Sequence, residues 1–438
     1  MTIAADLARF ALSQAPASEA ASRFTELSLF DWATAGLAGR DEPVSRAARA
    51  MALGEGATGG STVIGGGKVH PRAAALANGA ISHALDYDDT HFLHIGHPSV
   101  VVMSAALAIA EVEGSRGADF LAALTRGLEL ACRVGDWLGR SHYEAGFHQT
   151  GTAGAFGATA AAGRILGLDE AAMTSALGLA TTRAAGLKSQ FGTMAKPLNA
   201  GFAAEVGVTC ALLARYGVVS NPEAFEDAQG FGATHAGSDR RQAFDGIGRD
   251  WVFPEVSYKY HACCHGLHAM LECLAEIKAG GVAPEAVERI IITTNPRWFA
   301  VCNKPEPTTG LEAKFSYRMT AAMALHGVDT ADLGVYDEAT CRRADLVALR
   351  DKVVVEGDAA LADTASQVVA DLKDGTRRSA SHDLAATPDP ARTALRLKAK
   401  SATLLGVAQS EALWQAVSTL NQDAVGLAGL AEQLEASR

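Results

Sequence analysis

The sequence predicts a mainly α-helical protein with an inserted α+β domain. From residue 5 to about residue 250, nearly every segment has apolar residues at helical spacing, and the last forty residues return to this pattern. The stretch between them contains runs of β-branched residues. We therefore expect a large all-helical domain at 1–256, completed by 391–438, and a smaller α+β domain at 257–390. A length of 438 residues also favours two domains.

The helical part can be followed element by element. Phe24–Gly39 has apolar residues at near-helical spacing and ends on glycine, which suits a helix C-terminus. The stretch HPRAAALANGAISHALDYDD predicts a helix that runs into an acidic motif. Pro98 is expected to begin the next helix, because proline suits the first turn. Small residues predict closely packed helices at Thr150–Leu168 and Asn199–Val219.

The inserted part has strand patterns. The runs RIIITT and DKVVVEG are rich in β-branched residues, and ASQVVADLKDGTRRSASHDL predicts a hairpin that turns at Asp374-Gly375. Leu311–Gly327 is predicted to be a helix with Ser316 at its entry.

Composition excludes several function classes. The chain is 48% hydrophobic and 20% charged, which is typical of a soluble globular enzyme. A net charge of −11 argues against binding to nucleic acid and to anionic membranes, and means that an anionic substrate needs a local cationic pocket. The seven cysteines form neither a disulfide framework nor a CxxC pair, which favours a reducing compartment without a thiolate zinc site.

No targeting segment is expected. The N-terminus MTIAADLARFALSQ lacks a basic region followed by an apolar region, so it does not read as a signal peptide. The apolar run Val100–Ala110 is about half a membrane span and is expected to be a buried helix. We therefore expect a cytoplasmic protein.

The motif HALDYDDTHFLHIGHPS (His83–Ser99) is the first candidate for chemistry. It combines three aspartates and four histidines, and could form a metal site, an acid–base site or a hydrated surface loop. HExxH and EF-hand patterns are absent. The acid–base interpretation is favoured because the motif lies between two apolar helices, where crowded carboxylates raise each other's pKa. His97 also precedes a helix start, where backbone amides favour an anion.

Further along the chain, two cationic candidates precede helices. His148 lies two residues before the expected helix start at Thr150, where it could act in the site or simply cap the helix. Lys196 is the only charged residue in 191–204, which suggests a carboxylate anchor rather than a solvated helix end.

A third cationic group lies in the inserted domain. YKYHACCHGLHAMLECL contains one lysine and three histidines within ten residues: Lys259, His261, His265 and His268. The adjacent Cys263 and Cys264 are interpreted as core residues rather than nucleophiles. Lys314 and Arg318 are four residues apart and share a face if their segment is helical, either as a solvated basic surface or as a carboxylate-binding pair.

Together these residues predict a pocket with several cations and one crowded carboxylate. Such a pocket suits a small polycarboxylate, from which an Asp or His moves a proton on the carbon next to a carboxylate. Glycine-rich GEGATGG and GGG lack a following GK[ST] and a βαβ context, so no nucleotide cofactor is expected.

Five motifs in this order and spacing resemble those of the MmgE/PrpD family, which includes 2-methylcitrate dehydratase, cis-aconitate decarboxylase and iminodisuccinate epimerase. The resemblance covers residues 5 to about 420 and implies a helical domain, a small lid domain, a homodimer and a cofactor-free site between the domains. The motifs are LDYDDT…GHPS, GFHQTGTAGAFGATAAAGRILGL, FGTMAKPLNAGFAAEVGVTCALLARYG, YKYHACCHGLHAMLE and EAKFSYRMTAAMAL.

The resemblance implies site residues at matching positions. The catalytic set is Asp86, Thr90, His97 and His148. The substrate-binding set combines Lys196, Lys259 and His268 from the resemblance with the nearby cations His265 and Arg318, and no metal is expected. Within the first motif, the remaining acidic and imidazole side chains are interpreted as loop-organising or helix-face residues: Asp88, Asp89, His83, His91 and His94.

Two positions depart from the decarboxylase pattern. Cys264 stands where a histidine is expected, with His265 next to it, and Met319 stands where several relatives have tyrosine. The loop between Thr90 and His97 is also similar in length to that of the epimerase. Because elimination of water is the commonest chemistry that the resemblance implies, we predict a dehydratase-like lyase that acts on a 2-methylcitrate-type substrate. An epimerase of an iminodisuccinate-like dicarboxylate is the alternative, since it uses the same proton abstraction without a leaving group. A cis-aconitate decarboxylase, a non-catalytic carboxylate binder and a metallohydrolase rank lower.

Overall fold

The computed structural model describes residues 2–56, 59–422 and 426–436. The chain divides into two compact units, Met1–Tyr258 with Pro388–Arg438, and Lys259–Thr387. The sequence predicts these boundaries at 256/257 and 390/391. Over its described residues, the first unit is helical apart from one two-stranded ladder, and the second carries a four-stranded sheet. The predicted fold class, mainly helical with an α+β insertion, is confirmed.

In the described part of residues 2–234, the first unit has ten α-helices and one small antiparallel ladder. In chain order these are α1 Ile3–Leu12, α2 Glu19–Gly39, α3 Pro43–Gly54, β1 Ser61–Thr62, β2 Lys68–Val69, α4 Pro71–Ser82, α5 Pro98–Val112, α6 Gly117–Glu144, α7 Gln149–Ile165, α8 Glu170–Ala180, α9 Ala195–Arg215 and α10 Phe231–Thr234.

The second unit combines six helices with four strands. They are α11 His268–Ala279, β3 Val287–Thr294, α12 Phe299–Cys302, α13 Gly310–Ala313, α14 Tyr317–Leu325, α15 Glu338–Cys341, α16 Ala344–Arg350, β4 Val353–Gly357, β5 Ala365–Leu372 and β6 Arg377–Asp383.

Three further helices complete the first unit: α17 Pro390–Leu405, α18 Val407–Ser418 and α19 Ala428–Glu435.

Helix α5 forms the centre of the first unit. All its residues from Pro98 to Ala110 are buried, because an apolar surface all round a helix must be covered by neighbours. It packs against α4, α6, α7 and α9. The expectation of a buried helix at Val100–Ala110 is confirmed.

Helices α4 and α9 cross at two glycines. A Cβ atom at Gly79 would lie 2.8 Å from Cα of Gly201, and one at Gly201 would lie 2.4 Å from the carbonyl oxygen of Leu76. The crossing therefore requires glycine at both positions. It brings the start of α9 towards the segment that follows α4.

The strands of the second unit have the order β4-β3-β5-β6. Strands β3 and β4 are parallel, while β5 is antiparallel to both β3 and β6. The β5–β6 hairpin turns at the predicted Asp374-Gly375, where Gly375 has φ +80°. Helix α11 covers β5 and β6.

The prediction of one continuous helix at Leu311–Gly327 is wrong, because the helix is interrupted. Two helices occupy this stretch, α13 and α14, and Ser316 caps the second by accepting a bond from the amide of Met319. The break arises because the backbone at 315–316 pairs with Asn303 and Lys304. Lys314 and Arg318 therefore do not lie on one continuous helix face.

Helix α9 begins at Ala195, four residues before the predicted start, so that Lys196 belongs to its first turn. By length and composition, it is the one helix among the described residues that could cross a membrane. Of the most apolar 18-residue stretch of α9, 72% is buried inside the protein, as expected for a core helix.

Candidate active site

The predicted acid–base motif forms the connection between α4 and α5. His83 ends α4 and His97 precedes the first residue of α5. Asp86 has φ +51°, in the left-handed region, and its amide donates to the carbonyl of His83 over 3.1 Å. Its side chain is 47% exposed, whereas Asp88 and Asp89 are buried. Of the motif's three aspartates, only Asp86 presents its carboxylate to solvent.

A lysine and a histidine side chain meet at one oxygen of Asp86. The ammonium nitrogen of Lys196 lies 2.8 Å from Oδ1, and Nε2 of His97 lies 3.3 Å from the same atom. Lys196 and His97 are largely buried, with side chains 14% and 10% exposed. The site is thus a half-exposed carboxylate backed by two groups that hydrogen-bond to anions.

His97 is held from two further sides. Its amide donates to Oγ1 of Thr150 over 3.0 Å, which ties it to the first turn of α7. Its ring nitrogen Nδ1 lies 2.8 Å from Oδ2 of Asp88, and the other oxygen of Asp88 lies 2.9 Å from Nδ1 of His83. Both nitrogens of His97 therefore face carboxylate oxygens.

His148 lies at the start of α7, where it precedes Gln149. Burial, reinforced by the nearby Lys196, His83 and His97, holds its pKa well below the ordinary value, so the ring is neutral. The side-chain amide of Asn199 donates to its Nδ1 over 3.0 Å. The ring proton is therefore on Nε2, which makes His148 a neutral hydrogen-bond donor.

Thr90 is placed by a backbone bridge. Its amide and carbonyl each bond to Ser257 over 2.8 Å, and its hydroxyl donates to the Ser257 carbonyl over 3.3 Å. Through this bridge, the half-buried Thr90 anchors the second half of the α4–α5 connection.

Two other histidines of the motif are structural. His91 donates from Nε2 to the Val252 carbonyl and His94 from Nδ1 to the Ala131 carbonyl. Burial lowers the pKa of His91 to about 4 and that of His94 to about 3, so both are neutral.

Asp89 belongs to a separate buried network. Ser28 and Ser99 both donate to its Oδ2, and Ser28 also bonds to the Tyr258 hydroxyl over 2.8 Å. Burial raises the pKa of Asp89 to about 7 despite these serine bonds, and the charge of Asp31 adds to the rise. This carboxyl group therefore exchanges its proton near neutrality, away from solvent.

The second unit carries its own cluster of lysine and histidine side chains. Lys259 and His268 are almost fully buried. The rings of His261 and His265 lie 5.0 and 4.8 Å from that of His268. Burial, together with the charges of His265, His261 and Lys259, keeps the pKa of His268 well below its ordinary value, so its ring is neutral.

Two other predicted features of the second unit can be placed. Arg318 is half-buried, and its Nε is shielded from solvent without a hydrogen-bond partner among the described residues. Burial raises the pKa of Cys263 to about 12, which keeps this thiol protonated and agrees with its interpretation as a core residue.

The side chains around Asp86 also include a set of possible metal ligands. One ligand atom from each of His83, Asp86, Asp88 and His97 lies within 4.8 Å of the others, so the group could surround an ion. However, Lys196 already brings a positive charge to Asp86, and Asp88 faces the Nδ1 atoms of both histidines. These contacts fit an acid–base cluster better than a metal centre.

Four residues of the cluster were not among the predicted site residues. The sequence predicts His83 and Asp88 as helix-face and loop residues, because a separation of five residues gives no geometric signal of a contact. Asn199 stands three residues after Lys196 on α9, a spacing that places both on the same helix face and that could have identified Asn199. Thr150 was identified only as a helix start.

Comparison with known proteins relates this geometry to a family. Residues 5–243 match the MmgE/PrpD N-terminal domain and residues 261–422 match the MmgE/PrpD C-terminal domain. A cis-aconitate decarboxylase-like protein of Aspergillus oryzae is 33% identical over 268 residues, which cover 57% of this chain and 56% of that protein.

Two cis-aconitate decarboxylases are also similar. The human enzyme is 28% identical over 303 residues, covering 66% of this chain and 62% of that protein, and the Aspergillus terreus enzyme is 32% identical over 247 residues, covering 53% and 50%. The chain thus spans between one half and five-eighths of the length of these relatives. Since the two domain matches account for most of its residues, the chain belongs to the MmgE/PrpD family.

Proposed function

We propose that this protein is a cofactor-independent lyase that acts on a small di- or tricarboxylate by proton transfer at the carbon next to a carboxylate. One observation supports this most directly. The half-exposed carboxylate of Asp86 is contacted at a single oxygen by the Lys196 ammonium and by Nε2 of His97. The cluster thus offers a proton acceptor and a proton donor to a solvent-facing ligand, as general acid–base catalysis requires.

The roles follow from the surroundings. Lys196 stabilises Asp86 as a carboxylate, so Asp86 is available to remove a proton from carbon. His97 faces carboxylate oxygens through both ring nitrogens, and we assign it the role of proton donor. When substrate displaces Lys196 from Asp86, the ammonium pairs with a substrate carboxylate and stabilises the negative charge that develops there.

His148 supplies a neutral donor to the same intermediate. Its Nε2–H contributes a hydrogen bond without a second full positive charge, and Asn199 fixes the ring orientation. On the second unit, we assign carboxylate binding to Lys259, His265, His268 and Arg318.

In the first candidate reaction the substrate loses water. Asp86 removes the proton from the carbon next to a carboxylate, the carbon–oxygen bond of the hydroxyl group breaks, and His97 protonates the leaving hydroxide. This is the 2-methylcitrate dehydratase-like reaction. Epimerisation of an iminodisuccinate-like dicarboxylate remains the alternative, because it uses the same proton removal and returns the proton to the opposite face.

The names of the similar proteins favour decarboxylation as a second candidate. Cleavage of a carbon–carboxylate bond releases carbon dioxide and leaves the electron pair on carbon, which His97 then protonates. The same cluster serves this reaction, although Cys264 and Met319 depart from the pattern that the resemblance associates with decarboxylases. We further propose that the protein acts in the cytoplasm as a homodimer.

A substrate panel tests the proposal. Purified protein is incubated in deuterated water with 2-methylcitrate, cis-aconitate and iminodisuccinate, and products are followed by NMR. Loss of water identifies the dehydratase, release of carbon dioxide identifies the decarboxylase, and deuterium at a C–H position without a leaving group identifies the epimerase. Ligand binding without any of these changes would contradict the proposal and indicate a carboxylate-binding protein.

A further inference from the structure

Asp88 joins two histidines through its two oxygens. Oδ1 lies 2.9 Å from Nδ1 of His83, and Oδ2 lies 2.8 Å from Nδ1 of His97. Asp88 has no solvent exposure, and His83 is 1% exposed. The imidazole rings of the two histidines meet edge to face, with centroids 4.6 Å apart. The three side chains therefore form one buried cluster, which contacts Asp86 through His97.

The charge state of Asp88 determines which ring nitrogens of His83 and His97 carry protons. Burial alone would raise the pKa of the carboxyl group, but the attraction and hydrogen bonds of His83 and His97 outweigh it and hold the pKa well below its ordinary value. Asp88 is therefore a carboxylate, which can only accept hydrogen bonds. A carboxylate favours a proton on the ring nitrogen that faces it: Nδ1 of His83 hydrogen-bonds to Oδ1, and Nδ1 of His97 lies at an ion-pair distance of 2.8 Å from Oδ2.

The anchoring of Asp88 is equally specific. His83 is the residue that ends α4, so its bond to Oδ1 attaches Asp88 to a helix rather than to a loop. Nε2 of His83 is buried and has no hydrogen-bond partner in the described parts of the chain, which leaves Asp88 as its polar contact. With Oδ1 held in this way, Oδ2 is directed at His97.

Resting on the acid–base function proposed above, we propose that Asp88 is the positioning residue of the site and that His83 is its anchor. Asp88 holds the proton of His97 on Nδ1, so that Nε2 is the nitrogen presented to Asp86 and to the substrate. The arrangement matches the general pattern in which a buried carboxylate orients a catalytic imidazole and stabilises its protonated form.

Adjacent aspartates provide a matched pair of variants. Asp88→Asn replaces one accepting oxygen by a donating amide, so that one Nδ1–H loses its acceptor. Asp89→Asn makes the same change one residue later, where two serine hydroxyls can still donate to the remaining oxygen. We expect Asp88→Asn to lower kcat roughly 100-fold or more with little change in KM, and Asp89→Asn to leave both near wild type.

The pH dependence of kcat distinguishes a positioning role of Asp88 from a purely structural one. His97 is faced by charged or titratable groups of its own connection, of the end of α4, of α7 and of α9: Asp86, Asp88, His94, His83, His148 and Lys196. Loss of the Asp88 charge destabilises the imidazolium, so the limb of the kcat profile that reports His97 should move to lower pH. Asp89→Asn should leave that limb in place.

A measurement on the wild-type protein covers the case in which Asp88→Asn does not fold. Histidine-labelled protein should show strongly hydrogen-bonded Nδ1 protons for His83 and His97 in NMR spectra, and His83→Gln should remove one signal. Protonation of His97 on Nε2 alone would overturn the proposal, as would wild-type kcat and pH profile in folded Asp88→Asn. If the wild-type enzyme converts none of the carboxylates, the proposed function fails, while the Nδ1 signals still report on Asp88.

Discussion

The ammonium nitrogen of Lys196 lies 2.8 Å from Oδ1 of Asp86, although the two residues are 110 positions apart in the chain. The contact exists because α4 and α9 cross closely and Asp86 adopts a left-handed turn just after α4. It joins the one solvent-facing aspartate of the motif to the one charged residue of 191–204.

Lys196→Met should weaken catalysis through this contact. Loss of the ammonium removes the partner of Asp86 and the proposed anchor of a substrate carboxylate, so kcat/KM should fall about 100-fold. Lys188→Met is the matched control, because Lys188 contacts the carbonyl and ring of Tyr143 instead. Steady-state kinetics with the accepted carboxylate would measure both. Equal losses in the two variants would argue against a specific role for Lys196.

Asp89 should make stability depend on pH in an unusual direction. Its pKa is about 7 in the folded state against an ordinary 3.8, so the folded state holds the proton more tightly. The resulting stabilisation is complete below about pH 4 and is lost as pH rises through 7, with a total of roughly 4 kcal/mol at most. Asp89→Asn has no such proton to lose.

Urea unfolding at pH 5 and pH 8 checks this prediction. The free energy of unfolding of the wild type relative to Asp89→Asn should fall between the two pH values. An unchanged difference would show that Asp89 does not titrate in this range.

Lys400 and Asp31 form a buried pair that supports the turn at Asp86. Nζ of Lys400 lies 2.6 Å from Oδ1 of Asp31 and donates to the carbonyl of Tyr87, the residue after Asp86. Lys400→Met should destabilise the fold by about 3–5 kcal/mol, because it leaves Asp31 buried without its cation. Adding Asp31→Asn should recover part of that loss. Thermal unfolding of the single and double variants would measure it, and additive losses would contradict the pairing.

The crossing of α4 and α9 gives a test of packing. Gly201→Ala should destabilise the protein by about 1–3 kcal/mol and reduce activity, since the new Cβ would meet the carbonyl oxygen of Leu76. Gly54→Ala is the control, because a Cβ there meets no atom within 4 Å. Chemical unfolding of both variants would decide. A neutral Gly201→Ala would show that the helices separate easily.

The expectation of metal-independent catalysis can also be measured. Activity should survive extended dialysis against a chelator, because Lys196 rather than an ion neutralises Asp86 in this account. Metal analysis of the purified protein provides the complement. A stoichiometric metal whose removal abolishes turnover and whose return restores it would favour the His83, Asp86, Asp88 and His97 group as a metal centre.

The sequence predicts those elements whose structural signal lies in residues that are neighbours in the chain. The apolar run in α5 specifies a helix buried on all sides, and Asp374-Gly375 specifies a hairpin turn, because both signals are contained in neighbouring residues. The break before α14 was missed because it depends on pairing of residue 316 with residue 303, which helical periodicity does not reveal. The Lys400–Asp31 pair is likewise invisible in sequence, since 369 residues separate its members.

In the candidate site too, the sequence identifies some residues and only the structure identifies others. The motifs identified Asp86, His97, His148 and Lys196, and the structure brings these four into one cluster of the first unit. The role of Asp88 depends on which way a loop side chain turns, and neither spacing nor composition determines that direction.

In the proposed reaction, Asp86 moves a proton at a carbon next to a carboxylate. The most direct test is the rate of solvent deuterium incorporation at that carbon for the wild type and for Asp86→Asn, with folding verified by thermal unfolding. We predict that Asp86→Asn, which keeps the shape but removes the base, lowers the exchange rate roughly 100-fold or more. Exchange at the wild-type rate in folded Asp86→Asn would show that Asp86 is not the base.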